Sequence, residues 1–517
     1  MFFTFSQRLG FMVALSLALA SVPASLIAQF TITTAVEVPT ATARATNTVT
    51  MAGGTLTFSS AETSNAFTFG GLAAPQSGTG YNISLQNTAS AAINLSVGAT
   101  ESTEYAGVLS GPGSLTKAGA STTLTLSGTN TYTGGTAINL GVLNLASPGA
   151  LGTSGTISFG GGTLQYSSSN FTDYSSRFSQ AAGQEWRIDV NGQSVIFATA
   201  FTSVGGKLIK SDSNPDGVPV PATLILTATN TYSGGTTINT GRLKVGDGGN
   251  TGSLGTGGVI NNSILEYNRL DLLEESNAIS GTGSVTQAGT GTLVFTNDGN
   301  TFSGGTIINA GKLLVSNSAG SGTGSGAVNV NSGATFGGTG SISGALMINS
   351  GGSVSPGASP GQLQVGGGTT FAGGGRYFFE INNTVGTPGT HWDLLSISGG
   401  LTISATVNTP FVLDLVSLTA GNASGALANF NSANAYSWKF VTTTTGITGF
   451  SAGAFQYNAS NFANNLDIGH FYVSQTGNDL YLNFTPVPEP TTWVLLSLGL
   501  SSVLLSLRRK SRARVVE

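Results

Sequence analysis

The 517-residue chain contains no cysteine, so disulfides, thiolate metal sites and cysteine nucleophiles are excluded together. Charge is nearly as scarce: only 8% of residues are Asp, Glu, Lys or Arg, and there are two histidines. Six of the 18 basic residues lie outside residues 29–490, leaving 12 there against 21 of the 22 acidic ones, a net charge of about −9. A nucleic-acid-binding surface needs a basic footprint, and none is present. In place of charge stand 76 glycines, with Thr, Ser and Asn between alternating Val, Ile and Leu. That alternation separates the chain from disordered sequences of similar polarity.

The two ends differ from the rest. Met1 to Arg8 is short and positive, Phe11–Ala20 is apolar, and Val22-Pro23-Ala24 and Leu26-Ile27-Ala28 both suit a signal peptidase. This predicts a signal helix and peptide over 1–28, hence export. At the other end, Thr491–Leu507 carries no charge and would span roughly 25 Å as a helix, just short of a hydrocarbon core. The cluster Arg508, Arg509, Lys510, Arg512 and Arg514 should stay cytoplasmic, leaving all that precedes it outside. Val487, Pro488, Glu489 and Pro490, followed by this apolar run and basic tail, resemble the PEP-CTERM sorting signal. The resemblance implies processing by an exosortase-type membrane enzyme, with inner-membrane anchoring beforehand and a cell-surface or extracellular destination afterwards.

The body repeats itself. Leu124 to Leu143, Leu224 to Leu243 and Leu293 to Leu313 align almost without gaps, each centred on Asn-Thr-Tyr/Phe-Thr/Ser-Gly-Gly. The aligned turn residues are Asn130, Gly134 and Gly135; Asn230, Gly234 and Gly235; and Asn300, Gly304 and Gly305. Upstream, Leu109 to Leu115 matches Ile279 to Val285. Runs such as Thr-Leu-Thr-Leu read as strands with one buried face, and Gly and Asn supply the turns between them. Strand and turn alternating every five to eight residues suit the coils of a parallel β-helix, in which each coil buries its apolar side chains on its neighbours. The expected fold is all-β: an elongated right-handed solenoid of roughly 13–16 coils, ~60–80 Å long. Asn130, Asn230 and Asn300 are expected to bond turn backbone, Asn139, Asn239 and Asn309 to mark a second corner, and Tyr132, Tyr232 and Phe302 to pack inside.

These segments resemble the autotransporter-associated β-strand repeat of bacterial surface and secreted proteins. Classical autotransporters end in a large outer-membrane barrel. Here the apolar run and basic tail stand in its place, so sorting by an enzyme is expected in preference to self-secretion. The expected organisation is signal peptide 1–28, repeat region 29–375, a C-terminal β cap or small β domain 376–485, and the sorting signal 486–517, with its transmembrane helix at 491–507 and basic tail at 508–517.

No catalytic constellation stands out. His391 and His470 lack motif context for a triad, and His391 with Asp393 is too few ligands for a metal. The loop 212–221, with Asp212, Pro215, Asp216, Gly217, Pro219 and Pro221, lacks the ligand count of a calcium site. The densest charged set is Glu266, Arg269, Asp271, Glu274 and Glu275, read as a short helix or looped strand with charges facing water. Arg177, Glu185, Arg187 and Asp189 form a looser second set. The expectation is a non-enzymatic structural or adhesin-like protein with no cofactor and no catalytic or metal site. Its expected partners are signal peptidase, an exosortase-type enzyme, the membrane before processing and extracellular polysaccharide. The alternatives are a polysaccharide lyase or hydrolase on a β-helix, and an autotransporter-type passenger.

Overall fold

The computed structural model describes residues 29–98, 100–214, 222–487 and 498–507. Alternating runs become strands because every second side chain can be buried. Thr123–Leu126, Arg242–Val245 and Thr292–Phe295 each bury their second and fourth residues and leave the other two partly exposed. In the shaft the strands lie parallel and in register on those one coil away. Leu115 pairs with Thr136 and Thr123 with Val142, 21 and 19 residues along the chain. A parallel pair needs a long connection, and here the other faces of the coil provide it. The result is a parallel β-solenoid of about 16 turns, 43% strand and 4% helix. At ~4.8 Å per turn its length is roughly 75–80 Å.

Parallel sheets of 7, 9, 11 and 8 strands form the walls. Inside, like stacks on like: Leu224, Leu243, Leu265 and Val285 form one column, each wholly buried. Such stacking replaces the single core of a globular domain, so stability is a sum over neighbouring coils.

The three repeats do not lie in one line. The first places Ser114–Lys117 and Thr136–Ile138 in the seven-stranded sheet, and Thr123–Leu126 and Val142–Leu145 in the nine-stranded one. The second places Lys207–Ser211 and Thr236–Ile238 in the nine-stranded sheet, and Thr223–Leu226 and Arg242–Val245 in the eleven-stranded one. The third uses the eleven-stranded sheet for Ser284–Gln287 and Thr306–Ile308, and the eight-stranded sheet for Thr292–Phe295 and Lys312–Val315. Each repeat is therefore advanced by one face, because the segments between repeats are not whole numbers of coils.

Parallel pairing runs past Gly375 as far as Asn461, but the coils widen. Gln362 pairs with Leu394, Phe411 with Phe455 and Leu395 with Val441, separations of 32, 44 and 46 residues. The stack then closes: Asp479–Thr485 inserts antiparallel between Tyr436–Thr443 and His470–Thr476. On the resulting edge strand, the Val473 N–H donates to the Tyr457 hydroxyl at 2.8 Å, which blunts an edge that could otherwise recruit another chain.

The expected signal helix lies outside the described residues. So do Pro488, Glu489, Pro490 and the basic cluster Arg508, Arg509, Lys510, Arg512 and Arg514. Of the expected apolar helix, 498–507 is described and helical. Among the described residues no helix is long and apolar enough to cross a membrane.

Candidate functional site at the coil corners and the sorting tail

At each repeat the two glycines of the corner do different work. Gly135, Gly235 and Gly305 have φ of +95°, +97° and +84°, a region that disfavours a Cβ. Gly134 and Gly304 are ordinary in φ, but a Cβ there would lie 2.6 and 2.5 Å from the backbone of Gly113 and Gly283 in the preceding coil. The chain passes too close to its neighbour for any side chain. Gly234 meets the Gly205 carbonyl in the same way, at 2.4 Å.

The corner asparagines are buried stitches. The Asn130 Oδ1 accepts from the Leu109 N–H at 2.7 Å, and its Nδ2 donates to the Ala150 carbonyl at 2.6 Å. Asn230 joins Phe201 to Ser253, and Asn300 joins Ile279 to Gly322, in the same manner. Each amide thus links the coil before to the coil after, which local turn chemistry alone would not have shown. Asn309 belongs to an exposed ladder, accepting from Asn331, which in turn accepts from Asn349. Asn239 donates to the Ser211 hydroxyl. Tyr132, Tyr232 and Phe302 have no exposed surface. The Tyr132 and Tyr232 hydroxyls lie 2.6 Å from the hydroxyls of Thr136 and Thr236. Phe302 has no hydroxyl to offer, and the buried Thr306 Oγ1 is left without a partner.

Sequence reading missed a third recurring device. Lys117, Lys210 and Gln287 occupy the same inward position, each buried and each reaching turn carbonyls. Lys117 Nζ donates to Gly119 and Leu140 carbonyls at 3.0 and 3.3 Å, to the Thr122 hydroxyl at 2.9 Å and to the Ala118 carbonyl. Lys210 donates to Ala222 and Thr240, and Gln287 to Gly289 and Gly291. Burial pulls both lysines down to about 8, opposed at Lys210 by the carboxylates of Asp212 and Asp189. The signal was present in the alignment: Leu115-Thr-Lys117, Leu208-Ile-Lys210 and Val285-Thr-Gln287 put a polar residue in an inward register.

The charged sets are structural. Residues 264–275 form no helix: Ile264–Tyr267 and Leu272–Glu275 are strands, because ready-made parallel neighbours at 242–245 and 292–295 capture them. Nor do all their charges face water. Glu266 is sealed between Arg242 at 2.7 Å and Lys244 at 3.5 Å. Glu275 is buried, accepting from the Tyr267 hydroxyl and the Asn277 N–H, with burial raising its pKa. Arg269 pairs with Asp271 at 2.6 Å, and Glu274 is exposed. In the second set, Arg187 pairs with Glu185, and Asp189 accepts from Gln165, Asn191 and Ser213. The Arg177 guanidinium is spent on the carbonyls of Gly152, Ser154 and Gly155. The shallow depression beside it, about 510 Å³, holds no carboxylate, whereas glycoside hydrolysis calls for two.

His391 Nδ1 accepts from the Thr387 N–H, while Asp393 is buried and accepts from Gly361 and Glu380. The two do not converge. His470 begins an exposed strand end. Asp212 accepts from Gly192 and Asn214, and residues 215–221 lie outside the described set. Among the described residues no three His, Asp or Glu side chains could hold a metal.

With this geometry in hand, comparisons with known proteins show what the chain resembles. Residues 115–145, 221–245 and 285–315 match the passenger-associated-transport-repeat family, and residues 486–510 match the PEP-CTERM protein-sorting motif. The chain therefore carries autotransporter-type repeats on a β-solenoid together with a sorting signal, features that fit exported surface proteins. A particular relative is the Adhesin BmaC autotransporter of Brucella suis biovar 1 (strain 1330), 34% identical over 181 residues. That match covers 35% of this chain but only 5% of the relative.

Proposed function

We propose that the protein is an exported, non-enzymatic, adhesin-like rod, cut by signal peptidase at one end and by an exosortase-type enzyme at the other. Held at the inner membrane by the 491–507 segment until sorted, it then serves at the cell surface or in the extracellular polysaccharide matrix. One observation carries this reading: the recurring polar side chains of the repeats are consumed in linking coils, while the sorting motif supplies an address. The polar outer faces of the walls, rich in Thr, Ser and Asn, suit many weak hydrogen bonds to neutral glycan. The turn residues Asn130, Asn230 and Asn300 are structural and contact no ligand. Val487, Pro488, Glu489 and Pro490 are the processing motif, and the basic cluster at 508–514 holds the tail on the cytoplasmic side.

The test is a matched set of strains: wild type, a deletion, and a P488A/E489Q/P490A triple variant. Intact-mass measurement of protein from cells and medium should show both ends trimmed in the wild type and an untrimmed C-terminus in the variant. Cell attachment should fall in the deletion. Unchanged attachment and matrix in the deletion would refute the adhesive role, and normal trimming of the variant would refute the sorting step.

A further inference from the structure

The wide coils end in three loops that the fold ties into one surface. The Thr384 N–H donates to the Asn429 Oδ1, and Asn429 Nδ2 donates to the Asn383 Oδ1 at 2.6 Å. Leu427 and Asn464 exchange two hydrogen bonds, and Ser432 donates to Asp467. Residues 382–391, 419–434 and 462–470 contain no Lys or Arg and a single carboxylate, Asp467. On this nearly uncharged surface stand Val385 and Ile468, 72% and 54% exposed. Two exposed apolar side chains alone would mean little. Their position gives them meaning. Phe430, between them, packs on Tyr436 and on Phe484, with ring centroids 5.2 and 5.1 Å apart, and Phe484 precedes the last residue of the final strand. His470 pairs directly with that residue, Thr485. The chain therefore leaves the solenoid through this surface.

Only residues 486–490 separate Thr485 from the uncharged run that starts at Thr491. Whatever their conformation, they reach at most about 20 Å. A membrane helix at 491–507 would hold the exit surface within that distance of the bilayer. We infer that this face of the base, centred on Val385, Ile468 and the partly buried Phe430 and Tyr436, seats against the lipid interface until the tail is cut. The inference rests on the reading of 491–507 as a membrane segment. Aromatic and aliphatic side chains framed by amides suit the interfacial zone, where one end of a group is apolar and the other wet. The lack of basic residues makes the contact one of apolar seating and not of attraction to anionic headgroups.

The chain's lack of cysteine allows a direct test. The full chain from Gln29 is reconstituted in vesicles of phosphatidylcholine and phosphatidylglycerol carrying a headgroup-linked nitroxide. Single variants I468C, V385C, V204C and W493C each bear one fluorophore. Val204, 75% exposed in a shaft turn many coils away, is the control. Labels at 468 and 385 should be quenched at least about twofold more than the label at 204, with little change when phosphatidylglycerol is omitted. Quenching at 493 without quenching at 468 and 385 overturns the seating alone. No quenching at any position overturns the membrane-tail reading and the seating with it. Equal quenching at 204, the mark of a rod lying flat, also overturns the seating.

Discussion

The shaft between residues 109 and 356 and the base from 362 to 485 are the same solenoid built by different rules. In the shaft, coils of 18–29 residues carry, at the three repeats, a short polar kit: a close-packed glycine, a stitching asparagine and a capped turn. In the base, coils of 32–46 residues lack the Asn-Thr-Tyr/Phe-Thr/Ser-Gly-Gly corner. Aromatic packing holds them: Trp438 stacks on Tyr436 at 5.3 Å and Phe371 on Phe411 at 4.2 Å, as Trp186 stacks on Phe201 at 4.5 Å among the wider coils of the shaft. The lesson is that small coils are specified by backbone fit and wide coils by side-chain bulk.

The largest break in that contrast should come from the base. Trp438→Ala removes a wholly buried indole whose Nε1 donates to the Thr384 carbonyl, and should cost about 3–5 kcal/mol. Hydrogen exchange should rise over 362–485 and stay unchanged over 115–245. In the shaft, Gly304→Val, pressed against the Gly283 backbone, should cost about 1–3 kcal/mol and raise exchange around 279–330. Asn130→Ala strands the Leu109 N–H and the Ala150 carbonyl, a loss of about 1–3 kcal/mol in urea unfolding. A Trp438→Ala variant whose exchange rises equally in both regions would show one cooperative unit and erase the contrast.

How much of this the sequence revealed follows the same divide. Parallel stacking, the corners and the inward Tyr132, Tyr232 and Phe302 were legible because backbone fit writes itself as a repeated pattern. The Glu266 and Glu275 segment was not legible, because neighbouring strands decide its conformation and partners far along the chain decide its burial. The one-face advance of successive repeats was hidden as well. It depends on the lengths of irregular segments, which carry no periodic signal. The wide coils read only as longer strands, since pairing across 44 residues leaves no local trace.

Two smaller effects sharpen the account of the shaft. Lys117 and Lys210 have folded values lowered to about 8, below the ~10.4 of an unfolded lysine. Between those values the unfolded chain binds more protons, so stability should rise as pH climbs from about 8 to 10.4. A K117Q/K210Q variant, which copies the glutamine that the third repeat already carries at position 287, should flatten that rise in pH-dependent urea unfolding. Smallest of all, Phe302→Tyr would give the stranded Thr306 hydroxyl a partner and should stabilise by about 0.5–1.5 kcal/mol. A destabilised variant would mean that the third corner is packed more tightly than the first two.

The antiparallel closure at Asp479–Thr485 bears on the order of assembly. Every earlier coil can settle on the one before it as the chain emerges from its amino end, each finished turn serving as a template for the next. The inner strand of the closing hairpin comes last, and until it arrives the Tyr436–Thr443 strand waits with a bare side. Completion of the rod therefore waits for the strand that runs straight into the sorting motif at 486–510, so the last fold-closing residues and the motif emerge together.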